Sequence, residues 1–496
     1  MHSNKTLDPS DWPAFRSQAH AMLDDMLDYA ENLRARPVWQ PIPPHIKAGF
    51  HENLPEHGQE LAALHQRFMQ EVVPYSIGNA HPGFMGWVQG GGTPVGMVAD
   101  MLAAGLNANV GGREQIPIAV ERQILDWMRE LFNFPQTANG VFVTGTSIAN
   151  FIAVVIARTK ALGTGVRQTG LSPQRLTAYT SAGAHGCVAR AMDFAGFGTD
   201  ALRQIPMNER HQIDLNKLSE QIRADLAAGY QPFLIIGTAG SVDVGAIDDL
   251  TALADLAEQH KCWFHIDGAY GALGMMSAQI APRLAGIERA ASIAFDFHKW
   301  AQVPYDAGYI LVRDGGDQLA TFSAPANYLK RETRGMAAGS PWPCDLGPDL
   351  SRGFRALKTW FTIATFGTKK LGEIMANTCD LAQYLVSCIA EEPKLELLAP
   401  VNLNIVCFRY IGSTNLKSLT VEAANQLNNE LVIRLQESGL VAPSSTMINE
   451  QFAIRVAIVN HRTARIDMDN LMQSTLRIGD ELFAQPARSL TTGISC

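Results

Sequence analysis

Between about residues 80 and 315 the chain alternates short β-rich apolar runs with stretches of helical periodicity, and this alternation constrains the fold more than any other feature. Strands separated by helices cannot pair as simple hairpins, so they lie mostly parallel, with helices covering the faces of the sheet. The runs 141–144, 233–237, 263–267, 293–297 and 308–312 are rich in Val, Ile, Phe and Leu and read as strands. Between the second and third, Leu250, Leu253, Ala254 and Leu256 form the apolar stripe of a helix over about 248–260, which completes a β-α-β unit. The expected fold class is α/β with a mostly parallel central sheet.

The flanks read differently. Phe15, Met22, Met26 and Tyr29 recur at helical spacing, whereas Pro37, Pro41, Pro43 and Pro44 forbid a helix beyond Arg36. Such an arm has little core of its own and needs another surface, for which a partner subunit is a candidate. Residues 315–350, with Gly335, Gly339, Pro341, Pro343 and Pro348, carry no periodicity and read as an irregular segment of the kind that forms functional lids. A helix resumes over about 352–366, and a smaller α+β region follows, with 405–409 and 452–456 as antiparallel strands. The expected division is an N-terminal helical and extended arm over 1–80, a large domain over 81–394 with a mobile loop at about 320–348, and a small C-terminal domain over 395–496.

Net charge is −8 without a block of like charges, and the longest basic cluster, Lys330, Arg331 and Arg334, is too short for a nucleic-acid face. A small-molecule substrate is expected. No run of about 18 apolar residues occurs, and residues 1–12 lack the basic-then-apolar order of a signal peptide, so a cytoplasmic protein with no membrane contact is expected. The seven cysteines include no C-x-x-C pair; reduced thiols and no metal site are the expectation.

Lys299 directly follows the strand 293–297. A lone lysine there is usually a solvated strand end. Asp267, however, ends another strand and is followed by Gly268, Ala269, Tyr270 and Gly271, a stretch with little bulk near the backbone that lets a planar ring approach. Folds of this class place ligand contacts at the carboxyl ends of strands, and a carboxylate beside a pyridine nitrogen favours its protonated form. Val143, Thr144, Gly145, Thr146 and Ser147, followed by an apolar helix to Leu162, supply strand, tight turn and helix N-terminus, an arrangement that presents backbone N–H groups to a phosphate. Alone, such a turn is more often a simple cap. Together, a lysine, an acid for a pyridine nitrogen and a phosphate cradle are what pyridoxal phosphate requires, and that cofactor stabilises the carbanion left by an amino acid losing carbon dioxide.

The ordered segments His81 and Pro82, Ser147 to Asn150, Ala184 and His185, His265 to Ala269, His298 to Trp300, and Phe452 to Arg455 resemble the group II pyridoxal-phosphate decarboxylases over nearly the whole chain. That family includes the aromatic-L-amino-acid, histidine, glutamate and tyrosine decarboxylases. The resemblance implies an aminotransferase-like (fold type I) architecture, pyridoxal 5'-phosphate as cofactor, carboxy-lyase activity in amino-acid metabolism, and a homodimer with a shared active site. It further implies that Lys299 carries the cofactor covalently, Asp267 pairs with the pyridine nitrogen, His185 stacks on the ring and helps hold the substrate carboxylate, Ala269 packs under the ring, and Thr146, Ser147 and His298 lie near the phosphate. For both histidines a core role satisfied by backbone groups is the alternative. Tyr328 matches a loop tyrosine that returns a proton to Cα, so amine formation is favoured; relatives with phenylalanine there tend to form aldehydes by oxidative decarboxylation and deamination.

Three positions depart from the resembling family: Ile148 where many members are acidic, Val242 where aromatic decarboxylases are polar, and Asp296 where asparagine is common near the phosphate. The segments 81–92 and 107–114 carry glycines where aromatic-specific members place bulk. Trp87 favours an aromatic substrate, while Asn109 and Arg113 are similar to the glutamate and cysteine-sulfinate branch; a surface salt bridge is the alternative for Arg113. Competing readings are sulfur removal from cysteine, with Cys344 as nucleophile, and a pyridoxal-phosphate-binding protein without catalysis.

Overall fold

A computed structural model of the chain describes residues 6–171, 175–323, 331–412 and 420–484. In chain order its strands are β1 (Phe84–Met85), β2 (Asn139–Val143), β3 (Leu176–Ser181), β4 (Leu202–Ile205), β5 (Gln231–Thr238), β6 (Trp263–Asp267), β7 (Ser292–Asp296), β8 (Gly308–Val312), β9 (Leu395–Leu397), β10 (Ile405–Tyr410), β11 (Ala442–Ile448) and β12 (Gln451–Ala457).

The larger sheet has the order β2-β8-β7-β6-β5-β3-β4. The ladders from β7 through β6, β5 and β3 to β4 are parallel, and β8 runs antiparallel to both β7 and β2. This is the α/β, mostly parallel arrangement that the alternating pattern demands. β5 to β8 are buried nearly throughout, which is why they read as continuous apolar runs. β3 and β4 escape such a reading: Leu176, Thr177, Ala178, Tyr179, Thr180 and Ser181 of β3 are all buried, but four of the six are hydroxyl-bearing. The helix Thr146–Leu162 covers one face through Ile152, Val154 and Ile156, while Leu250, Leu253 and Ala254 of the helix Leu250–Gln259 belong to the core on the other.

The smaller sheet has the order β1-β11-β12-β10-β9. β10 and β12 pair antiparallel, with Val406 opposite Val456, as the sequence indicates. Its edge strand β1 arrives from far earlier in the chain and pairs parallel with β11. The helix Arg355–Glu391 joins the two cores, with Ile363, Leu371 and Met375 packed under the larger sheet and Leu381, Leu385 and Ile389 in the smaller; it bends at Gly367, whose φ is 70°.

One expectation is corrected. Gly315–Phe322 is a helix, with Asp314 accepting the N–H of Gly316 as its cap; two glycines at its start hide it from propensity. Residues 331–350 carry only a short turn of 3₁₀ helix at Pro343–Asp345, and 324–330 lie outside the described residues. The helix Trp12–Glu31 buries none of its residues: Trp12 is 55% and Phe15 40% exposed. Among the described residues, no helix is long and apolar enough to cross a membrane, and no group of side chains could hold a metal ion.

Candidate active site

The register that sets Asp267 of β6 beside Thr238 of β5 and Ala294 of β7 brings the carboxyl ends of these strands together. There a cleft of about 390 Å³ opens. Asp267 and Asp296 reach it from the strand ends, Thr146 and Ser147 from the start of the helix Thr146–Leu162, and His298 and Lys299 from the loop after β7. His185, Ala269 and Trp87 also line it. Residues 90–91 lie so close to neighbouring segments that side chains cannot fit: a Cβ on Gly90 would stand 2.4 Å from the carbonyl oxygens of His298 and Lys299, and one on Gly91 2.6 Å from Asn460. These two glycines serve close packing of the chain, not a widened pocket.

One end of the cleft is organised around Asp267, 4% exposed. Its Oδ1 accepts the N–H of Ala269 (3.1 Å) and its Oδ2 accepts Nδ2 of Asn150 (3.0 Å). An ionised carboxylate only accepts, so the Asn150 amide is turned with Nδ2 toward it and Oδ1 away. That Oδ1 lies 2.8 Å from Nε2 of His265, which must therefore carry the proton. Complete burial pushes the His265 pKa down to about 4, so the ring is neutral and its Nδ1 is bare, accepting the hydroxyl of Ser292 at 2.8 Å. The indole N–H of Trp263 in turn donates to Ser292 Oγ (2.8 Å). The relay runs in one direction, from Trp263 to Asp267, and every donor to the carboxylate is neutral. An anionic oxygen held this way keeps its charge for a cation in the cleft, which fits a pyridinium N–H.

The other end is organised around Asp296, 2% exposed. Its Oδ1 accepts the backbone N–H of Thr146 (2.9 Å), and its Oδ2 accepts the Thr146 hydroxyl (3.0 Å) and pairs with Lys299 Nζ (3.1 Å). His298 Nε2 lies 3.6 Å from the same oxygen. His298 Nδ1 accepts the N–H of Ala307 (3.0 Å), and burial lowers its pKa, so the neutral ring carries its proton on Nε2. A lysine amine reaching the cleft and a helix N-terminus at its edge fit an aldehyde and a phosphate on one ligand.

The remaining sequence candidates divide. His185 is exposed to the cleft, with Nδ1 accepting the N–H of Cys187 (3.2 Å). Trp87 is 53% exposed at the rim. Val242 lines the wall, on a loop held by Arg455, whose guanidinium donates to the carbonyls of Val242 and Asp243. Ile148 does not face the cleft; it packs with the core under its helix. Asn109 and Arg113 are not among the described residues lining the cleft of the single chain. The side-chain Oδ1 of Asn109 accepts the N–H groups of Gly111 and Arg352 (both 3.0 Å), and the Arg113 guanidinium stacks 4.6 Å over the Trp342 ring. Cys344 lies outside the cleft lining and burial raises its pKa, the reverse of what a thiolate nucleophile needs. Tyr328 lies outside the described residues.

Sequence reasoning treats Asn150 as part of a motif and assigns it no role. The available signal is helical spacing: Asn150 stands four residues after Thr146, on the face that meets the sheet.

A family model described as a pyridoxal-dependent decarboxylase conserved domain matches residues 43–411. The aromatic-L-amino-acid decarboxylase of Bacillus atrophaeus is 31% identical over 474 residues, covering 94% of this chain and 96% of that protein. Among solved structures, Oryza sativa TDC with PLP and tryptamine superposes with a TM-score of 0.87 at 24% identity, covering 96% of this chain and 100% of that one. Mouse CSAD superposes with a TM-score of 0.88 at 24% identity, covering 95% and 99%.

Proposed function

Because the chain belongs to the pyridoxal-dependent decarboxylase family, and is thus a pyridoxal-phosphate-dependent carboxy-lyase of amino acids, we propose that it converts an aromatic L-amino acid to its amine and carbon dioxide. One observation carries the choice of substrate: Lys299 is the only Lys or Arg among the described residues lining the cleft, whose other surfaces include Trp87, Val88 and Val242. An acidic side chain needs a fixed cation, and Arg113, the candidate for that role, stacks on Trp342 instead. The acidic branch, of glutamate or cysteine-sulfinate type, is the second reading.

Pyridoxal phosphate, when bound, supplies the electron sink that a departing carboxylate requires. Lys299 would hold it covalently, Asp267 would meet its ring nitrogen, Ala269 would leave room beneath the ring, and Thr146, Ser147 and His298 would take its phosphate. Asp267 favours a proton on the ring nitrogen by charge, and the neutral relay behind it orients the carboxylate without consuming that charge. His185, with Nδ1 occupied by Cys187, has Nε2 left to meet a substrate carboxylate. Tyr328 is our candidate for returning the proton to Cα.

Carbon dioxide release and amine formation across a panel of L-amino acids test the reading. Turnover of tyrosine, tryptophan or phenylalanine is expected; turnover confined to glutamate or cysteine sulfinate overturns it. In the presence of dioxygen, which takes up the two electrons as hydrogen peroxide, Tyr328→Phe is expected to retain carbon dioxide release while the product shifts from amine to aldehyde and ammonia. Unchanged amine yield removes Tyr328 from the role.

We also read the chain as a homodimer. The helix Trp12–Glu31 buries nothing, and Met101, Leu102 and Leu106 of the helix Pro94–Leu106 are 49%, 45% and 64% exposed, apolar surface that suits a second copy. Sedimentation that finds an active monomer counts against this. We keep the division at 1–80, 81–394 and 395–496 as a reading of the chain: the smaller sheet has a core of its own, to which the end of the helix Arg355–Glu391 and β1 also contribute. The cysteines among the described residues are free thiols, which suits a reducing compartment and a cytoplasmic location.

A further inference from the structure

We propose that Asp296 competes with the cofactor's phosphate for the start of the helix Thr146–Leu162, and so acts as a built-in brake on cofactor loading. The inference rests on the reading that this end of the cleft receives phosphate. A helix N-terminus attracts anions through backbone N–H groups that lack partners within the helix. Here the first residue of that place, Thr146, is already held by an anion of the chain itself. The two Asp296 oxygens hold the N–H and the hydroxyl of Thr146, and the same carboxylate pairs with Lys299.

The charges at this end do not balance once a phosphate arrives. Among the described residues Lys299 is the only Lys or Arg in the lining, and it is already paired with Asp296. His298 is held neutral by burial and by the N–H of Ala307 at its Nδ1, and it offers one N–H without a full charge. Asp296 is 2% exposed, so water and salt screen its repulsion for a second anion only weakly. An asparagine at this position would have nearly the same shape. It could keep an acceptor for Thr146 while turning N–H groups toward the phosphate, which a carboxylate cannot do. Phosphate must therefore displace the carboxylate from Thr146 or sit beside it at an electrostatic cost, and either way adds less affinity than this helix start could supply.

The ratio of the dissociation constants of pyridoxal and pyridoxal phosphate isolates the contribution of the phosphate, since both ligands meet Lys299 and Asp267 alike. It is measured by fluorescence titration of the cofactor-free full-length chain. In Asp296→Asn the ratio is expected to rise about tenfold, a modest share of the repulsion between two unit charges a few ångströms apart. Inorganic phosphate, titrated calorimetrically, should bind correspondingly tighter. Retained pyridoxal affinity reports an intact cleft. Asp296→Ser, neutral and smaller, carries the same expectation should the asparagine variant not fold, and Asp296→Glu should leave the ratio unraised. An unchanged or lowered ratio in the neutral variants, with wild type already preferring the phosphorylated ligand, overturns the brake alone. If neither wild type nor variants distinguish the two ligands, the phosphate reading of this helix start fails with it.

Discussion

Asp267 and Asp296 end neighbouring parallel strands, are almost equally buried and face one cleft, yet their surroundings give them opposite uses. Asp267 is held by two neutral amides, from Ala269 and Asn150, with a neutral histidine behind. Asp296 is held by a lysine and by the first residue of a helix. Neutral donors orient a carboxylate and leave its charge available, whereas a cation spends it. The contrast shows that residue type and burial do not define the role of an acid in a site; the charge state of its partners does.

The largest expected effect comes from breaking the contrast at its shared neighbour. Lys299→Ala removes the cation from Asp296 and the amine from the cleft together. Carbon dioxide release should fall by at least about a thousandfold, and the borohydride-reducible link to the cofactor should vanish. A variant that retains this link takes Lys299 out of its role. Asp267→Asn attacks the other end by deleting the charge while keeping an acceptor. Since no cation is left unpaired among its protein partners, the fold should hold, while turnover falls roughly a hundredfold. Activity within about threefold of wild type would mean that the charge is not used.

Acid should sharpen the difference by acting on the relay behind Asp267. Burial holds the His265 pKa at about 4, below the 6.5 of an ordinary histidine, so the unfolded chain takes up the proton first. The stabilisation from the neutral ring is complete above about pH 6.5 and is lost as pH falls toward 4, at about 1.4 kcal/mol per unit and roughly 3 kcal/mol in all. His461 has the same depressed value and adds a parallel loss. Urea unfolding at pH 6.5 and 4.5 should therefore show a steeper acid loss for wild type than for His265→Gln; equal losses would place the sensitivity elsewhere. The smallest expected change is Asn150→Ala, which cuts the relay from Asp267 at a cost of about 1–2 kcal/mol in stability and roughly tenfold in rate. Stability lost without any change in rate would make the relay a support for the fold alone.

What could be read in advance follows the range of the interactions involved. β5 to β8 are legible because strands buried on both faces are continuous apolar runs, and the phosphate cradle because strand, turn and helix start are adjacent in the chain. β3 and β4 are not, since their burial depends on neighbours in the sheet and not on their own composition. The helix Gly315–Phe322 was missed because its glycines oppose the packing and capping that form it. The partners of Arg113 and Asn109 within the chain are not legible, because a charge or amide in sequence carries no information about the group that will take it.

Fold class, family, and the lysine, aspartate and helix start at strand ends are written in the chain, because each depends on patterns a few residues long or on their order along it. How those groups are partnered and aimed depends on contacts between distant segments. Asn150 meets Asp267 across 117 positions and His265 across 115, and Thr146 meets Asp296 across 150. Hydrogen-bond direction and local electrostatics arise from such pairings, and they exist only once the sheet has set its register and brought the distant strand ends and the helix start to one place.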